Sequence, residues 1–220
     1  MYIYKITKIY FMKTLSTILI SLFFISTFAQ NIESQITELQ TYIDNEDYMQ
    51  ALGFADKLIA NKIKEGFQDN ASKVYLLRGI AKYKLELETD AIVDLKVSQS
   101  LNGSNTITYY YIADIYYKIS SYALALENII YLLEKDPTNV DGLVVKSKCE
   151  LEMGNTYAAK MSIQKALALK SSDGELYYIR AVINSQLGED KLACKDIKIA
   201  DKFGFESASD RIDSFCNSSK

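Results

Sequence analysis

Hydrophobic and small residues recur along the chain every 34 positions, and residues that share a position in successive repeats form a column. An alanine stands at Ala91, Ala125, Ala159 and Ala193. Four more columns keep this interval: Tyr75, Tyr109, Leu143 and Tyr177; Gly79, Ala113, Ser147 and Ala181; Leu95, Ile129, Ile163 and Ile197; and Ser98, Leu132, Ala166 and Ala200. Because the columns stay in register without a gap, they predict four consecutive repeats, 72–105, 106–139, 140–173 and 174–207.

Within each repeat the apolar residues follow the spacing of two amphipathic helices. In the last repeat Tyr177 and Ala181 share one face of a first helix, and Ala193 and Ile197 share one face of a second. A glycine suited to a left-handed turn follows the first helix in two repeats, at Gly154 and Gly188. A single helical hairpin cannot bury both of its faces, so we expect neighbouring hairpins to stack into a solenoid.

These columns resemble those of the tetratricopeptide repeat. The large–small pair of that family is matched by Tyr109 and Ala113, its second-helix alanine by Ala125, and its closing proline by Pro137. Residues 78–83 are similar to the Arg-Gly variant of its first helix. The resemblance implies an all-α fold, a right-handed superhelix of about five helical hairpins with a C-terminal capping helix.

The resemblance covers 30–207, nearly all of the expected exported chain. Ahead of the four regular repeats, 32–71 is a degenerate repeat in which Ala51 lies 40 residues before the alanine of the next one. Two positions depart from the family pattern, because Glu150 and Asn184 stand where it favours an aromatic residue. These departures weaken single repeats without changing the predicted fold.

The end of the chain, 208–220, predicts a capping helix with one apolar face, formed by Ala208, Ile212 and Phe215. Cys194 opens the last second helix and Cys216 lies late in the cap that should fold against it, so we hypothesise a disulfide between them. Cys149, in a first helix, is expected to be a buried free thiol. The alternative is that all three cysteines are small apolar packing residues.

The first 29 residues, 1–29, have the pattern of a signal peptide, with Met12 as an alternative start. Three lysines and no acidic residue accompany an apolar run, and small residues stand at the −3 and −1 positions before Gln30. The run of 14 largely apolar residues is shorter than the roughly 20 that a spanning helix needs, although an uncleaved anchor is the alternative. We expect cleavage and export to the bacterial periplasm or beyond, with no stable membrane insertion afterwards.

Composition argues against most catalytic functions. The chain has no histidine, which excludes His-dependent catalytic triads and His metal ligands. Acidic clusters at 44–47 and 86–90 fall before predicted second helices, where acids favour the helix N-terminus, and neither follows a calcium-loop pattern. Without 1–29, 22 basic residues face 28 acidic ones, which gives no electrostatic reason to expect nucleic acid. We expect no enzyme activity, no cofactor and no metal.

The tetratricopeptide resemblance also implies that the first helices line a concave groove. The residues that would line it are Leu76, Ile80, Tyr83, Tyr110, Asp114, Tyr117, Val144, Lys148, Leu151, Tyr178 and Val182. Such an aromatic and aliphatic surface suits an extended or helical peptide, and the alternative is that some of these residues bury against neighbouring helices. Leu76, Ile80 and Tyr110 stand where members that clamp a C-terminal carboxylate carry basic residues and asparagine, so that specificity is not expected. An apolar or mixed peptide partner fits these residues better.

These observations predict a non-catalytic, exported interaction scaffold that binds a protein or peptide partner. A second hypothesis is an accessory subunit that stays docked in a bacterial envelope assembly or transport machine. A free monomer would favour the first hypothesis, and obligate co-purification with other proteins would favour the second.

Overall fold

A computed structural model describes residues 30–61 and 68–217 of the chain, and these form twelve helices and no strand. The first, α1, spans 30–44. The others are α2 (Tyr48–Ala60), α3 (Gln68–Lys84), α4 (Glu88–Leu101), α5 (Thr106–Lys118), α6 (Tyr122–Lys135), α7 (Val140–Glu152), α8 (Thr156–Leu169), α9 (Gly174–Gln186), α10 (Asp190–Lys202), α11 (Glu206–Ser209) and α12 (Ile212–Cys216). The predicted signal peptide lies outside the described residues, and within them no helix has the length and apolar character needed to span a membrane.

Ten of the helices form five hairpins, each with an odd-numbered first helix and an even-numbered second helix. The chain divides into two compact units, one ending at Asn102 and holding α1–α4, the other beginning at Gly103 and holding α5–α12. In the first unit α2 and α4 both pack against α3, and the rings of Tyr42 in α1 and Phe54 in α2 lie 5.8 Å apart. In the second unit α6 packs against α7 and α8 against α9, so its hairpins stack on one another.

The repeat columns form the core of both units. All residues of the alanine column, the small column and the two columns that follow the alanine are buried. The remaining column is buried at Tyr75 and Leu143 and half-buried at Tyr109 and Tyr177. At Gly79 an added Cβ would lie only 2.9 Å from a side-chain carbon of Leu95, so the close approach of α3 and α4 requires glycine there.

The turn between the two helices of a hairpin uses left-handed backbone. Gly154 and Gly188 have φ of 78° and 72°, which confirms the conformation predicted for them. Non-glycine residues take the same conformation at the equivalent positions, with φ of 60° at Glu86 and 59° at Ser120, and Glu46 in the first hairpin has φ of 62°. The turn geometry therefore imposes this conformation whatever the residue.

Polar residues cap the first helices of the second unit at equivalent positions. The side chains of Asn105, Asn139 and Asp173 each accept a hydrogen bond of 2.9–3.2 Å from a backbone N–H two or three residues further on. Residues of the two acidic clusters lie at helix starts, with Asp47 directly before α2 and Glu88 in the first turn of α4.

Two short helices, α11 and α12, stand in place of the single capping helix predicted from the sequence. The helix breaks at Asp210 and Arg211, where the Arg211 N–H donates to the carbonyl oxygen of Ala208, three residues back, at 3.0 Å. At this break the Arg211 guanidinium lies over the rings of Tyr178 and Phe215, 5.8 and 5.6 Å from their centres. The cap still buries Ala208 and Phe215 in a cluster with residues of α9 and α10.

Two glycine-to-alanine substitutions are expected to change stability in opposite directions. Gly188→Ala should lower the free energy of unfolding by about 1 kcal/mol, because an L-residue is disfavoured at its positive φ. Gly53→Ala, at an exposed position within α2, should raise it by about 0.5–1 kcal/mol through helix propensity. An added Cβ would contact nothing within 4 Å at either position, so backbone conformation alone separates the two variants. Urea unfolding followed by circular dichroism measures both, and equal effects of the same sign would contradict this account.

Candidate functional site

The three predicted groove residues of the first unit lie on α3 and are buried. Leu76, Ile80 and Tyr83 each keep less than a tenth of their surface exposed, and α3 buries residues on most of its circumference. They therefore contribute to packing and offer little surface to a partner, which corrects the prediction that they line an open groove.

The second unit brings most of the other predicted groove residues onto adjoining first helices, since α5 contacts α7 and α7 contacts α9. On α5, Tyr110, Asp114 and Tyr117 are spaced by four and three residues, share one face and are half-buried. On α7, Lys148 and Leu151 are half-buried, whereas Val144 is buried in the core. The prediction that Val144 lines an open groove is therefore corrected as well. We call the α5 and α7 surface formed by Tyr110, Asp114, Tyr117, Lys148 and Leu151 the tyrosine face.

Other aromatic residues flank the tyrosine face. The Tyr110 ring meets Tyr111 edge-on with centres 5.4 Å apart, and the Tyr117 ring lies 5.6 Å from Tyr122. Tyr110 and Tyr117 pack with one side against a core cluster that includes Cys149. They are held in place by packing while part of each ring stays accessible.

Carboxylates lie around these phenols. The pKa of Tyr110 is raised by burial and then by the nearby charges of Asp114, Asp141 and Glu175. The pKa of Tyr117 is raised by burial first, with Glu152 the largest charge contribution. Both phenols are therefore neutral hydrogen-bonding groups at physiological pH.

A salt bridge joins α7 to α9 beside the tyrosine face. The Nζ of Lys148 donates to Oε1 of Glu175 at 2.9 Å, and both side chains are partly exposed. Lys148 therefore bridges two first helices, a role that the sequence did not reveal. An exposed pair of this kind contributes little stability.

The cap engages the last two predicted groove residues, Tyr178 and Val182 on α9. The Tyr178 ring lies 5.0 Å from Phe205, and its hydroxyl accepts a hydrogen bond from Arg211. Both residues pack against the cluster that contains Phe215. The structure therefore places these two half-buried residues with the cap, whereas the tyrosine face lies on α5 and α7.

The cysteines fall into one pair and one single residue. Cys194 in α10 and Cys216 in α12 form a disulfide, with Cα atoms 4.7 Å apart. Cys149 is free and fully buried, which confirms its prediction as a buried free thiol. Burial raises the pKa of its thiol to about 11, so it is protonated and unreactive at neutral pH.

Sequence reasoning missed a set of polar clusters inside the hairpins. In the α3–α4 hairpin Asp94 accepts from Nε and Nη2 of Arg78 at 2.8 and 2.6 Å and pairs with Lys82 at 2.8 Å. In the α9–α10 hairpin Asp196 accepts from Nε and Nη2 of Arg180 at 2.8 and 2.7 Å. Each carboxylate is buried, so both pairs couple a first helix to its second helix away from water.

The residues that depart from the family pattern belong to these clusters. Asn184 donates to Oδ2 of Asp196 at 2.9 Å. Glu150 accepts from Lys146 in the same helix and from the hydroxyl of Ser162 in α8, the latter at 2.7 Å. The sequence does contain a signal of these clusters. Arg78 and Arg180 are 102 residues apart, and so are Asp94 and Asp196; this distance is three repeat periods.

Among the described residues no group of three or more cysteine, aspartate or glutamate side chains is arranged to hold a metal ion. The tyrosine face presents aromatic rings, phenol hydroxyls and carboxylates, which are groups suited to non-covalent recognition.

Comparison with known proteins finds similarity in structure only. No family model and no curated protein sequence matches the chain. MamA 41-end from Desulfovibrio magneticus RS-1 aligns over 80% of this chain and 96% of its own, with a TM-score of 0.69 and 15% identity. MamA AMB-1 aligns over 77% and 96%, with a TM-score of 0.66 and 20% identity.

A third similar structure is that of a protein described as containing the tetratricopeptide repeat (TPR). YrrB, described as a TPR protein with an unusual peptide-binding site, aligns over 77% of this chain and 84% of its own, with a TM-score of 0.63 and 15% identity. Together with the stacked hairpins and buried columns, these similarities confirm the predicted all-α solenoid class, and the chain has the fold of tetratricopeptide-repeat proteins.

Proposed function

We propose that this protein is a non-catalytic scaffold that binds a protein or peptide segment on the tyrosine face. The observation that carries the proposal is the half-buried state of Tyr110 and Tyr117 on one side of α5. Rings fixed by core packing and partly open to solvent lose little conformational freedom on binding and serve as anchors at interfaces. The peptide-binding site named for YrrB, which has the same fold, supports this function.

We further propose that the scaffold works outside the cytoplasm, in the bacterial periplasm or beyond. Support comes from the signal-like pattern of 1–29 and from the Cys194–Cys216 disulfide, since disulfides persist mainly in oxidising compartments. Mass spectrometry of the protein isolated from its native cells tests this: a chain retaining 1–29 and found in the cytoplasm would contradict it.

Loss of the two tyrosines is expected to abolish partner capture. In a tagged pull-down from the native envelope, Tyr110→Ala/Tyr117→Ala should recover at least about tenfold less partner, because removing aromatic anchors costs 2 kcal/mol or more. Tyr110→Leu/Tyr117→Leu, which retains apolar packing, should show the same loss while unfolding like the natural protein. Recovery of the same partner in equal amount by both variants would remove the tyrosine face as the binding site.

Tyr157→Ala is the matched control, because it removes a tyrosine from the second helix α8. It also tests the second candidate function, a subunit docked permanently in an envelope assembly. That candidate is favoured by Tyr157 and Met161, which lie one helical turn apart on α8 and are 75% and 73% exposed. Loss of co-purifying proteins in Tyr157→Ala, with none in the Tyr110 and Tyr117 variants, would select the docked-subunit function.

A further inference from the structure

The rim of the tyrosine face carries carboxylates at both ends. Asp141 and Glu175 lie in the first turns of α7 and α9, at equivalent repeat positions, and Glu152 ends α7. Asp114 lies between Tyr110 and Tyr117 on α5. These are the acids whose charges act on the two phenols, so they lie close to the rings that anchor a partner.

The charge on this rim is unbalanced. Three nearby cations are each paired with a further acid and leave the balance unchanged: Lys146 with Glu150, Lys170 with Asp173, and Arg180 with Asp196. The charge of Lys170 also acts on Asp141 and Glu175. The four carboxylates therefore face two remaining ammonium groups, Lys148 on α7 and Lys118 on α5. Lys148 is already paired with Glu175 at 2.9 Å. The face thus has an excess of two negative charges beside aromatic rings, which attracts cations and repels anionic segments.

The same chain binds cationic side chains with this combination of groups. The Arg78 guanidinium lies 5.3 Å from the ring centre of Tyr75 while paired with Asp94, and Arg180 lies 5.2 Å from that of Tyr177 while paired with Asp196. A phenol ring and a carboxylate therefore contact the same guanidinium twice within this fold. The tyrosine face has both groups, partly open to solvent.

We propose that the tyrosine face recognises a basic segment of its partner, with a lysine or arginine side chain over the ring of Tyr110 or Tyr117 and its charge beside Asp114, Asp141 or Glu152. This inference rests on the proposed function and specifies the chemistry of the partner. Apolar residues of the segment contact Leu151 and the remaining ring surface.

Three labelled peptides test this with the full chain. The first alternates lysine and leucine over eight residues, the second has every lysine acetylated, and the third replaces lysine with glutamate. In fluorescence anisotropy at 0.15 M salt, the lysine peptide should bind about tenfold more tightly than the acetylated one, and the glutamate peptide more weakly than either. Equal or tighter binding of the acetylated or the glutamate peptide overturns the inference.

Two double variants test whether the carboxylates of the rim cause the preference for the lysine peptide. Asp141→Asn/Glu152→Gln removes two exposed rim charges and should weaken the lysine peptide about three- to tenfold while leaving the acetylated peptide unchanged. Glu127→Gln/Glu134→Gln removes the same charge from exposed positions on α6 and should change neither affinity. Equal weakening of the lysine peptide by both double variants would show non-specific attraction and overturn the inference.

The outcomes separate this inference from the proposed function. If the acetylated peptide binds as well as the lysine peptide and Tyr110→Leu weakens both, the tyrosine face is a peptide site without preference for charge. If none of the peptides binds, the preference for basic segments is overturned, and the pull-down with the tyrosine variants still decides the proposed function.

Discussion

Replacing Asp94 with alanine is expected to lower the free energy of unfolding by about 3 kcal/mol, because it leaves two cationic side chains without their buried partner. The Asp94 side chain is 2% exposed and lies between Arg78 and Lys82, which both extend from α3. Those two side chains are each only 16% exposed. Water therefore cannot fully replace the carboxylate once it is removed.

The geometry of the pair explains the size of the effect. Arg78 donates to both carboxylate oxygens of Asp94, which is the bidentate arrangement that gives the strongest charge-assisted hydrogen bonds. Burial works against the charge of Arg78, but its hydrogen bonds to Asp94 and Asp56 outweigh this and raise its pKa. The arginine stays charged in the folded protein, so the loss of Asp94 leaves its charge with only the exposed carboxylate of Asp56 as a partner.

Asp56 provides a matched control, because it pairs with the same guanidinium from the other side. Its Oδ1 accepts from Nη1 of Arg78 at 2.6 Å, yet its side chain is 56% exposed. Asp56→Ala should cost less than about 1 kcal/mol, as exposed ion pairs do. Urea unfolding of the two variants gives the comparison, and a similar cost for both would mean that the buried cluster does not hold the hairpin together.

The core was predictable from the sequence because its positions repeat. Close packing admits only small residues at the alanine column and at positions such as Gly79, so the same restriction recurs in every hairpin and becomes visible as a period. The helices and their turns follow from the same columns. At these columns the type of residue indicates directly where it lies in the core, which is why the hairpins and the fold class were predicted correctly.

The polar clusters were not predictable in the same way. Their members change from hairpin to hairpin, so that the positions of Arg78, Lys82 and Asp94 hold Lys146, Glu150 and Ser162 two repeats later. No single column keeps one residue type, although in both sets a buried carboxylate accepts hydrogen bonds from its neighbours. In the sequence, residues such as Glu150 and Asn184 therefore look like unfavourable departures from the family pattern. In the structure they are hydrogen-bonding partners within the polar clusters.

How deeply the predicted groove residues are buried could not be predicted from the sequence either. Helical spacing places a residue on a face, but it does not say how closely the neighbouring helices cover that face. Ile80 and Asp114 occupy equivalent positions in successive repeats, yet one is buried and the other half-buried. The part of the predicted site that remains accessible, around Tyr110 and Tyr117, emerged only from the packing of α5 and α7.

Replacing Cys194 and Cys216 with serine is expected to lower the free energy of unfolding by about 3 kcal/mol. The disulfide joins residues 22 apart, and closing a loop of this size restricts the unfolded chain by about that amount. The cap it holds is short, and Ala208 and Phe215 are the only buried residues of α11 and α12, so apolar burial alone stabilises it weakly. Hydrogen exchange should accordingly show loss of protection in α11 and α12 before the rest of the second unit.

A dithiol reductant separates the crosslink from the substitutions themselves. It should lower the unfolding midpoint of the natural protein towards that of Cys194→Ser/Cys216→Ser and leave the midpoint of the double variant unchanged. The buried thiol of Cys149 is present in both proteins and therefore cancels in the comparison. If the reductant shifts both midpoints equally, or neither, the stability of the cap comes from the packing of Phe215 and Ala208 on α10, and the disulfide contributes little to it.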